Sequence, residues 1–598
     1  MKLGLILSFF NKHEKNQLIL VLFAMLIMGF IELIGVGSIG PFISVISNPD
    51  MIHSNTYLNK VYEIFNFSSD ADFTIASGVF VVIVLALSNL CLSGINILIY
   101  FYSAKRRHSI SMQLFEQYLR QPYIFYLNVN TADLSKNILS DVNTFVNNIL
   151  IAFLQIISSS IISLSIIILL IVLNPWLALI LSSILGFSYI VIFSFVRKLL
   201  ARKGKERAQQ NFLKYKYINE TFGGIKDIKI LSKEHVFVKL FSGPSKNFSM
   251  NDAKIDVINE FPKYLLETIT LGGIIMVIVV MIHTGVKIDA FLPVLTVYAF
   301  GAYRLLPSLQ KVFRSVSNIK YYFPIVETLH KDFNGLPKQN ELVENVQKMD
   351  FFNNIKLENI VFYYPQTNND IIKNQSITIK KNTSIAIIGP TGCGKTTFID
   401  IILGLLEPQS GKISIDNTEI NSFNIKKWQK NLGYVPQSIY LTDDTIRNNI
   451  AFGIAPDKID DNAIFRAAQL ASIHDFISSE LPDGYSTIIG ERGIRLSGGQ
   501  RQRIGIARAV YHDPSVLILD EATSALDTLT ENAIIDAIKN LNHKKTIIMV
   551  AHRLTTVKNC DIIYLMGKGI IVDSGSFEDL YQRNSEFKKM SDGINHDL

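Results

Sequence analysis

This sequence has little cysteine and little charge, and it shows no cleavable secretory signal. Its 598 residues include three cysteines, Cys91, Cys393 and Cys560, which suggest neither a disulfide pair nor a metal site and suit a reducing cytoplasm for the soluble part. Charged residues make up 18% of the chain and hydrophobic residues 48%, so much of it is expected to face lipid. The first apolar run is long enough to stay in the membrane.

Long apolar runs are concentrated in the first half of the chain. Six are long enough to cross about 30 Å of hydrocarbon, and they lie near residues 18–46, 73–102, 146–173, 177–196, 264–284 and 290–312. This asymmetry predicts four regions, namely a membrane domain, a polar linker, a soluble α/β domain and a polar tail, at residues 1–322, 323–350, 351–590 and 591–598.

The links between the spans differ in charge. The second-to-third link carries Lys105, Arg106 and Arg107, and the fourth-to-fifth link is basic from Arg197 to Lys254. The positive-inside rule therefore predicts that both links, the N-terminus and the soluble domain lie in the cytoplasm. The same distribution accounts for the net charge of +7 without a nucleic-acid partner.

Both basic links have a helical pattern with a short break, at residues 121–130 and 220–225. Helices that run down, turn and return would place the breaks at a cytoplasmic tip, where a soluble motor could push, although a merely solvated hairpin would show the same pattern. Between spans one and two, apolar residues recur at helical spacing from Tyr57 to Phe65. They predict an amphipathic helix, either on the outer membrane surface or packed on the span ends.

A glycine-rich loop in the soluble half fits the pattern G-x-x-x-x-G-K-[ST]. A strand-like run, 384–388, precedes it and a helix-like run, 398–403, follows, which is the context this phosphate-binding motif needs. The backbone N–H groups and the helix start would hold a triphosphate, while Lys395 would reach the β- and γ-phosphates and Thr396 would ligate Mg²⁺. The loop consists of Gly389, Pro390, Thr391, Gly392, Cys393, Gly394, Lys395, Thr396 and Thr397.

Two further patterns carry chemistry. Asp520 and Glu521 end an apolar strand-like run that starts at Ser515, and they suit Mg²⁺ positioning and a general base that orients the attacking water, respectively. A second phosphate-binding element opens a predicted helix at 501–511, and it implies that another subunit's γ-phosphate binds there. It consists of Ser497, Gly498, Gly499 and Gln500.

These motifs together resemble an ATP-binding-cassette exporter, and the resemblance covers essentially the whole chain. It implies that Tyr364 stacks on adenine, that Gln437 contacts Mg²⁺ and the lytic water, and that His552 contacts the γ-phosphate. It also assigns residues 490–493 to a loop that touches the cytoplasmic helices, and Asp527 to a loop that crosses a dimer interface. The binding partners it implies are ATP and Mg²⁺, and catalysis would use Glu521, His552 and Gln437.

The resemblance also implies a fold, an assembly and a location. The fold is an α-helical six-span membrane domain with long cytoplasmic helix extensions, followed by an α/β P-loop nucleotide-binding domain with an antiparallel β subdomain. One membrane domain with one cassette is half a transporter. We therefore expect a homodimer in the cell (inner) membrane with two composite ATP sites, each using Lys395 of one chain and Ser497 of the other.

Ionisable residues within spans are candidates for the substrate site, because they are costly in lipid. Arg304, Lys311 and Lys263 could form a basic wall for a phosphorylated lipid head group, with Glu32 paired to one of them. For the two lysines, reaching to the cytoplasmic interface is an alternative, and for Arg304 a structural ion pair is another.

Three features most resemble bacterial flippases for lipid-linked oligosaccharides. They are the run 302–308, the Tyr321-Tyr322 pair and the external helix. The hypothesis is that the protein moves a polyprenyl-diphosphate-linked glycan outward. Export of another lipid, a hydrophobic small molecule or a peptide remains open, as does an ATP-gated channel. The six spans exclude a soluble P-loop ATPase.

Overall fold

The chain forms two compact units of different secondary structure. The computed structural model describes residues 3–283, 288–337, 346–365, 367, 369–522, 543–551 and 557–592. One unit contains Met1–Gln121 and Asn128–Asn340, and the other contains Pro122–Leu127 and Glu341–Leu598. The first is helical and the second combines α-helices with two β-sheets, which confirms the predicted fold class.

The first half of the chain consists of helices, and four of those described have 48 to 50 residues. Two π-helical turns, Asn137–Asp141 and Val146–Leu150, connect α8, α9 and α10. The helices are α1 (Leu3–Leu7), α2 (Lys12–Gly37), α3 (Ile39–Ser47), α4 (Met51–Ser54), α5 (Thr56–Ile64), α6 (Asp70–Leu119), α7 (Tyr123–Asn128), α8 (Thr131–Lys136), α9 (Val142–Phe145), α10 (Ile151–Leu173), α11 (Pro175–Gly223), α12 (Ile225–Ile230), α13 (Glu234–His283) and α14 (Ile288–Gly335).

Four helical stretches in the described part of the chain are long and apolar enough to cross a membrane. They are Lys12–Ser47, Asp70–Leu119, Thr131–Leu173 and Pro175–Gly223, and each contains one of the first four predicted spans. The fifth and sixth predicted spans fall on α13 and α14, on either side of residues 284–287, which the structure does not describe. Those two spans stay predictions.

The helix breaks predicted in the basic links are present. Helix α6 ends at Leu119 before the short α7, and α11 ends at Gly223 before the short α12. The predicted spans three and four are separated by three residues, and the structure shows how the chain turns there: Asn174 caps α11 by accepting a hydrogen bond from the Leu177 N–H at 3.2 Å. At the other end of the domain, α14 continues to Gly335. It therefore takes in the first part of the segment 323–350 that the sequence assigns to a linker.

The amphipathic helix predicted between spans one and two is observed as α5, and its two faces differ. Leu58 and Tyr62 pack against a small core of Val45, Ile52 and Phe73 at the ends of the first two spans. The other face is exposed and includes Tyr57 at 83% and Ile64 at 70% exposure. Of the two placements considered from the sequence, packing on the span ends is therefore realised.

The second half of the chain alternates strands and helices. Its helices are α15 (Lys395–Ile402), α16 (Ile425–Gln429), α17 (Ile446–Ile450), α18 (Asp461–Leu470), α19 (Gly498–Val510), α20 (Phe577–Arg583) and α21 (Ser585–Asp592). Its strands are β1 (Asn354–Phe362), β2 (Ile372–Lys380), β3 (Ser384–Ile388), β4 (Ser410–Ile415), β5 (Thr418–Glu419), β6 (Leu432–Val435), β7 (Val516–Asp520), β8 (Thr546–Val550), β9 (Ile562–Gly567) and β10 (Ile570–Gly575).

The strands form two sheets with different roles. A four-stranded antiparallel sheet has the order β2-β1-β4-β5, and a six-stranded sheet has the order β10-β9-β3-β8-β7-β6. In the second sheet β9, β3, β8, β7 and β6 are parallel, and β3, β7 and β8 are buried along their whole length. Full burial explains their uninterrupted apolar sequences. Parallel strands place their carboxyl ends at one edge, where ligands bind in such sheets.

Candidate functional site

The glycine-rich loop connects β3 to α15 at the carboxyl edge of the parallel sheet. Gly389, Gly392 and Gly394 have φ angles of +151°, +79° and +104°, a region that favours glycine. A Cβ at Gly389 would lie 2.0 Å from the Met566 carbonyl oxygen, so this position also lacks room for a side chain. The loop thus has the backbone that a phosphate cradle needs.

The side chains of the loop are arranged for anion binding. Lys395 is 6% exposed, and its ammonium donates hydrogen bonds to the carbonyl oxygens of Gly389 at 2.8 Å and Pro390 at 3.1 Å. When a triphosphate binds, Lys395 can replace these two hydrogen bonds with hydrogen bonds to phosphate oxygens. The Tyr364 and Thr397 hydroxyls are 3.2 Å apart, so the predicted adenine-stacking ring lies beside the loop.

The predicted general base and the predicted water-contacting glutamine meet at the same edge. Gln437, after β6, donates a hydrogen bond from Nε2 to Glu521 Oε2 at 2.6 Å. Glu521 follows β7 with φ +50°, which is unusual for a residue other than glycine. Its main chain is fixed by its N–H bonding to the Val550 carbonyl at 3.0 Å and by Gln502 Nε2, which donates to its carbonyl at 3.3 Å.

A second buried carboxylate, which was not predicted from the sequence, lies near Asp520. Asp520 is 3% exposed, and burial together with the charge of Asp520 raises the pKa of Asp400 in α15 to about 6. Burial also raises the pKa of Tyr123, with smaller contributions from Asp400 and Tyr364. An acidic residue inside the apolar run 398–402 was the available signal. Tyr123, in the segment Pro122–Leu127, therefore lies within electrostatic reach of Asp400, and both residues belong to the second unit.

The second predicted phosphate-binding element begins α19. Ser497 Oγ accepts a hydrogen bond from the Gln500 N–H at 3.2 Å, and the Ser497 N–H donates to Gln500 Oε1 at 2.8 Å. This reciprocal cap leaves the first N–H groups of the helix, at Gly498 and Gly499, free of intrahelical partners. In the described part of the chain no hydrogen bond joins this element to loop 389–397.

Two predicted site residues fall outside the described residues. Asp527 lies within 523–542 and His552 within 552–556, so their roles stay predictions. Strand β8 does lead to the position that precedes His552, and Ala551 is described and buried.

The helical unit contains a cavity of about 210 Å³ that is lined by both polar and apolar side chains. Three of the four predicted substrate residues line it, namely Glu32, Arg304 and Lys311. The fourth, Lys263, is not among its lining residues, and its ammonium lies 5.6 Å from the Tyr264 ring centroid. The other polar lining residues are Asn96, Gln155, Ser158, Ser159, Tyr303 and Ser308.

Arg304 has the acidic partner that the sequence suggested. Its Nε lies 3.4 Å from Glu32 Oε1, and its Nη2 donates a hydrogen bond to Asn89 Oδ1 at 2.8 Å. The Ser88 hydroxyl donates to Glu32 Oε2. Helix α6 therefore supplies one neighbour to each member of the ion pair, and the sequence offered no signal for Ser88 or Asn89.

Two family models match separate parts of the chain. Residues 372–524 match the family described as ABC transporter, and residues 18–261 match the ABC transporter transmembrane region. The first match contains the phosphate loop, the α19 element and Glu521. The second begins within the first of the four described stretches suited to cross a membrane and contains the other three, together with Glu32.

Curated relatives match over limited lengths. ABC transporter B family member 22 of Arabidopsis thaliana is 47% identical over 38% of this chain and 18% of its own length. Heavy metal tolerance factor 1 of Caenorhabditis elegans is 32% identical over 61% and 45%, and ABC multidrug transporter MDR2 of Trichophyton rubrum is 36% identical over 48% and 21%. The match therefore spans less than half of each relative.

One solved structure has a similar fold along almost the entire chain. It is described as a bacterial Atm1-family ABC exporter with ATP bound, and it matches with a TM-score of 0.79 over 97% of this chain and 99% of that chain. The two sequences are 21% identical, so the likeness concerns the fold.

Proposed function

We propose that the chain, which combines an ABC transporter transmembrane region with an ABC transporter nucleotide-binding domain, hydrolyses ATP to drive export across a membrane. The observation that carries this proposal is the hydrogen bond between Gln437 and Glu521. It places a carboxylate and its orienting amide at the sheet edge that also holds the Lys395 loop.

The residues of this edge divide the work of hydrolysis. Lys395 and the N–H groups of loop 389–397 bind phosphate oxygens, and Tyr364 stacks on the adenine ring of ATP. Glu521 accepts a proton from the attacking water, while Gln437 holds the water in line. Thr396, Gln437 and Asp520 are the residues that would hold Mg²⁺, which neutralises phosphate charge when bound.

The functional unit we propose is a homodimer in the cell (inner) membrane, with the nucleotide-binding domains in the cytoplasm. The α19 element supports it, because its capped N-terminus has N–H donors and no bond to the loop of its own chain. In a dimer, Ser497 to Gln500 of one copy would close over the nucleotide held by the other. We expect closure driven by ATP binding to tilt the membrane helices.

The substrate we propose is a polyprenyl-diphosphate-linked oligosaccharide moved to the outer leaflet. The cavity lining is evidence for an anionic head group, because Arg304 and Lys311 line the cavity together with amides and hydroxyls that suit a glycan. Arginine binds phosphate through paired hydrogen bonds. Export of another lipid, a hydrophobic small molecule or a peptide would use the same ATP site, and one relative is named a multidrug transporter. Substrate stimulation of ATP hydrolysis distinguishes these cases.

Replacing both cavity cations, Arg304→Ala with Lys311→Ala, should abolish the stimulation of ATP hydrolysis by the glycolipid and reduce its flipping at least about tenfold, since each lost charge–phosphate contact is worth about 1.5–3 kcal/mol. Basal hydrolysis should persist, because the nucleotide site is unchanged. The measurement uses the full chain in proteoliposomes.

Lys263→Ala is the matched control, because Lys263 does not line the cavity, and it should flip the glycolipid normally. Normal flipping by the double variant would refute the cavity as the head-group site. Stimulation of the wild type by a hydrophobic small molecule and not by the glycolipid would favour the alternative substrate.

A further inference from the structure

An intramembrane carboxylate lies beside the arginine of the cavity. Glu32 in α2 is 1% exposed, and its two oxygens face different helices. Oε2 accepts a hydrogen bond from Ser88 of α6, and Oε1 faces Arg304 of α14 at 3.4 Å. Carboxylates are costly within membrane helices, so one in a cavity wall is a candidate for a functional role.

The ion pair is incomplete as a set of hydrogen bonds. In the described part of the chain, neither Glu32 Oε1 nor Arg304 Nε has a hydrogen-bond partner, although both atoms are buried. A buried polar atom without a partner costs about 1–3 kcal/mol. Glu32 therefore neutralises Arg304 but leaves its Nε without a hydrogen bond. An anion that fits the guanidinium better can accept that hydrogen bond.

We infer that Glu32 is an exchangeable counter-ion that an anionic substrate displaces from Arg304, and that its return to Arg304 helps to release the substrate. This inference rests on the proposed function, in which the cavity accepts a diphosphate head group. Glu32 thereby sets how tightly the cavity holds its ligand.

The second cation of the cavity shows how the exchange can begin. Lys311 lies seven residues after Arg304, two helical turns along the same face of α14, and it is exposed. Within the described residues it has no ion pair. An arriving diphosphate can therefore contact Lys311 before it competes with Glu32 for Arg304.

Electrostatics gives the exchange its direction. A diphosphate offers several oxygens to a guanidinium, which binds such groups through paired hydrogen bonds, whereas Glu32 presents one oxygen without a hydrogen bond. Glu32 also repels the bound diphosphate, because like charges close together in a poorly solvated cavity interact strongly. The carboxylate therefore lowers the affinity and favours release.

The test is the affinity of the full chain in lipid nanodiscs for geranylgeranyl diphosphate, measured with saturating ADP so that the probe does not occupy the nucleotide site. Glu32→Gln removes the charge and keeps an acceptor for Ser88. It should lower the dissociation constant about tenfold, equivalent to about 1.4 kcal/mol. Geranylgeraniol, which lacks the diphosphate, should bind both proteins equally.

Glu267→Gln is the matched control, because Glu267 is an exposed carboxylate on α13 outside the cavity lining. The affinity of this variant for geranylgeranyl diphosphate should equal that of the wild type. An unchanged or weaker affinity in Glu32→Gln, with binding that still needs Arg304, would refute the counter-ion role and leave the head-group site in place. Binding that is indifferent to Arg304 and Lys311 would refute the site itself.

A second variant covers the case in which Glu32→Gln does not fold. Glu32→Asp keeps the charge but withdraws the carboxylate by one methylene, so it weakens the pair with Arg304. It should bind the diphosphate about threefold more tightly than the wild type, a shift of about 0.6 kcal/mol. Equal affinity for Glu32→Asp and the wild type would contradict the inference.

Discussion

Replacing Glu521 with glutamine should lower ATP hydrolysis by about two to four orders of magnitude, the usual contribution of a positioned general base. Nucleotide binding should persist, because Lys395 and its loop are unchanged. The glutamine side chain keeps an oxygen that can accept the hydrogen bond now made by Gln437 Nε2 at 2.6 Å. The substitution therefore removes the base while preserving the local geometry. The measurement is steady-state phosphate release by the full chain in lipid, alongside nucleotide affinity.

Glu419→Gln is the control for this experiment. Glu419 is an exposed acid in β5, on the antiparallel sheet and away from the parallel strands that carry Glu521, so its loss should leave the rate unchanged. Hydrolysis by Glu521→Gln at the wild-type rate would show that another group activates the water. Loss of nucleotide affinity in this variant would show that Glu521 acts in binding.

The nucleotide site could be predicted from the sequence because its chemistry depends on short, contiguous segments. A buried strand, three glycines and a lysine specify the loop at Gly389 to Lys395 with little help from distant residues. The apolar run ending at Asp520 likewise predicts a strand whose end meets the phosphate loop, since both strands are parallel. In these places local pattern and tertiary position agree.

Contacts between distant segments could not be predicted in this way. The pairing of Arg304 with Glu32 was one of several considered, and the parts played by Ser88 and Asn89 had no sequence signal, because uncharged polar residues are common in membrane helices. Lys263 was grouped with the cavity cations on charge alone, yet its side chain lies by Tyr264. A charged residue in a predicted span indicates an energetic cost of placing it in lipid. Which residue it pairs with depends on how the helices pack, and the sequence does not show this.

The Tyr321-Tyr322 pair gains a structural explanation that differs from its use in the sequence comparison. Tyr321 is 1% exposed and packs with Leu200 and Ile255. Its hydroxyl donates to Asp252 Oδ1 at 3.1 Å, and Arg207 Nε donates to the same oxygen at 2.7 Å. The pair therefore joins α11, α13 and α14, so its presence is weaker support for a glycolipid substrate than the cavity cations are.

The approach of α11 to α14 at this cluster depends on one glycine that no sequence pattern singled out. A Cβ at Gly204 would lie 1.9 Å from the Tyr321 carbonyl oxygen. The obstacle is backbone within a helix, so it cannot rotate away as a flexible side chain could. Any larger residue must push the two helices apart and stretch the bonds of Arg207 to Asp252, one turn further along α11.

Gly204→Ala should accordingly destabilise the protein by about 3 kcal/mol, at the upper end of the usual cost of overpacking, and lower the apparent melting temperature of the purified chain. Gly186→Ala, in the same helix, is the control: a Cβ there meets nothing within 4 Å, so alanine should stabilise the helix by about 0.5–1 kcal/mol. Equal melting of the two variants would show that α11 and α14 do not require this close approach. Both substitutions add the same methyl group to α11. A lower melting temperature for Gly204→Ala than for Gly186→Ala would therefore show that backbone contact fixes the distance between α11 and α14.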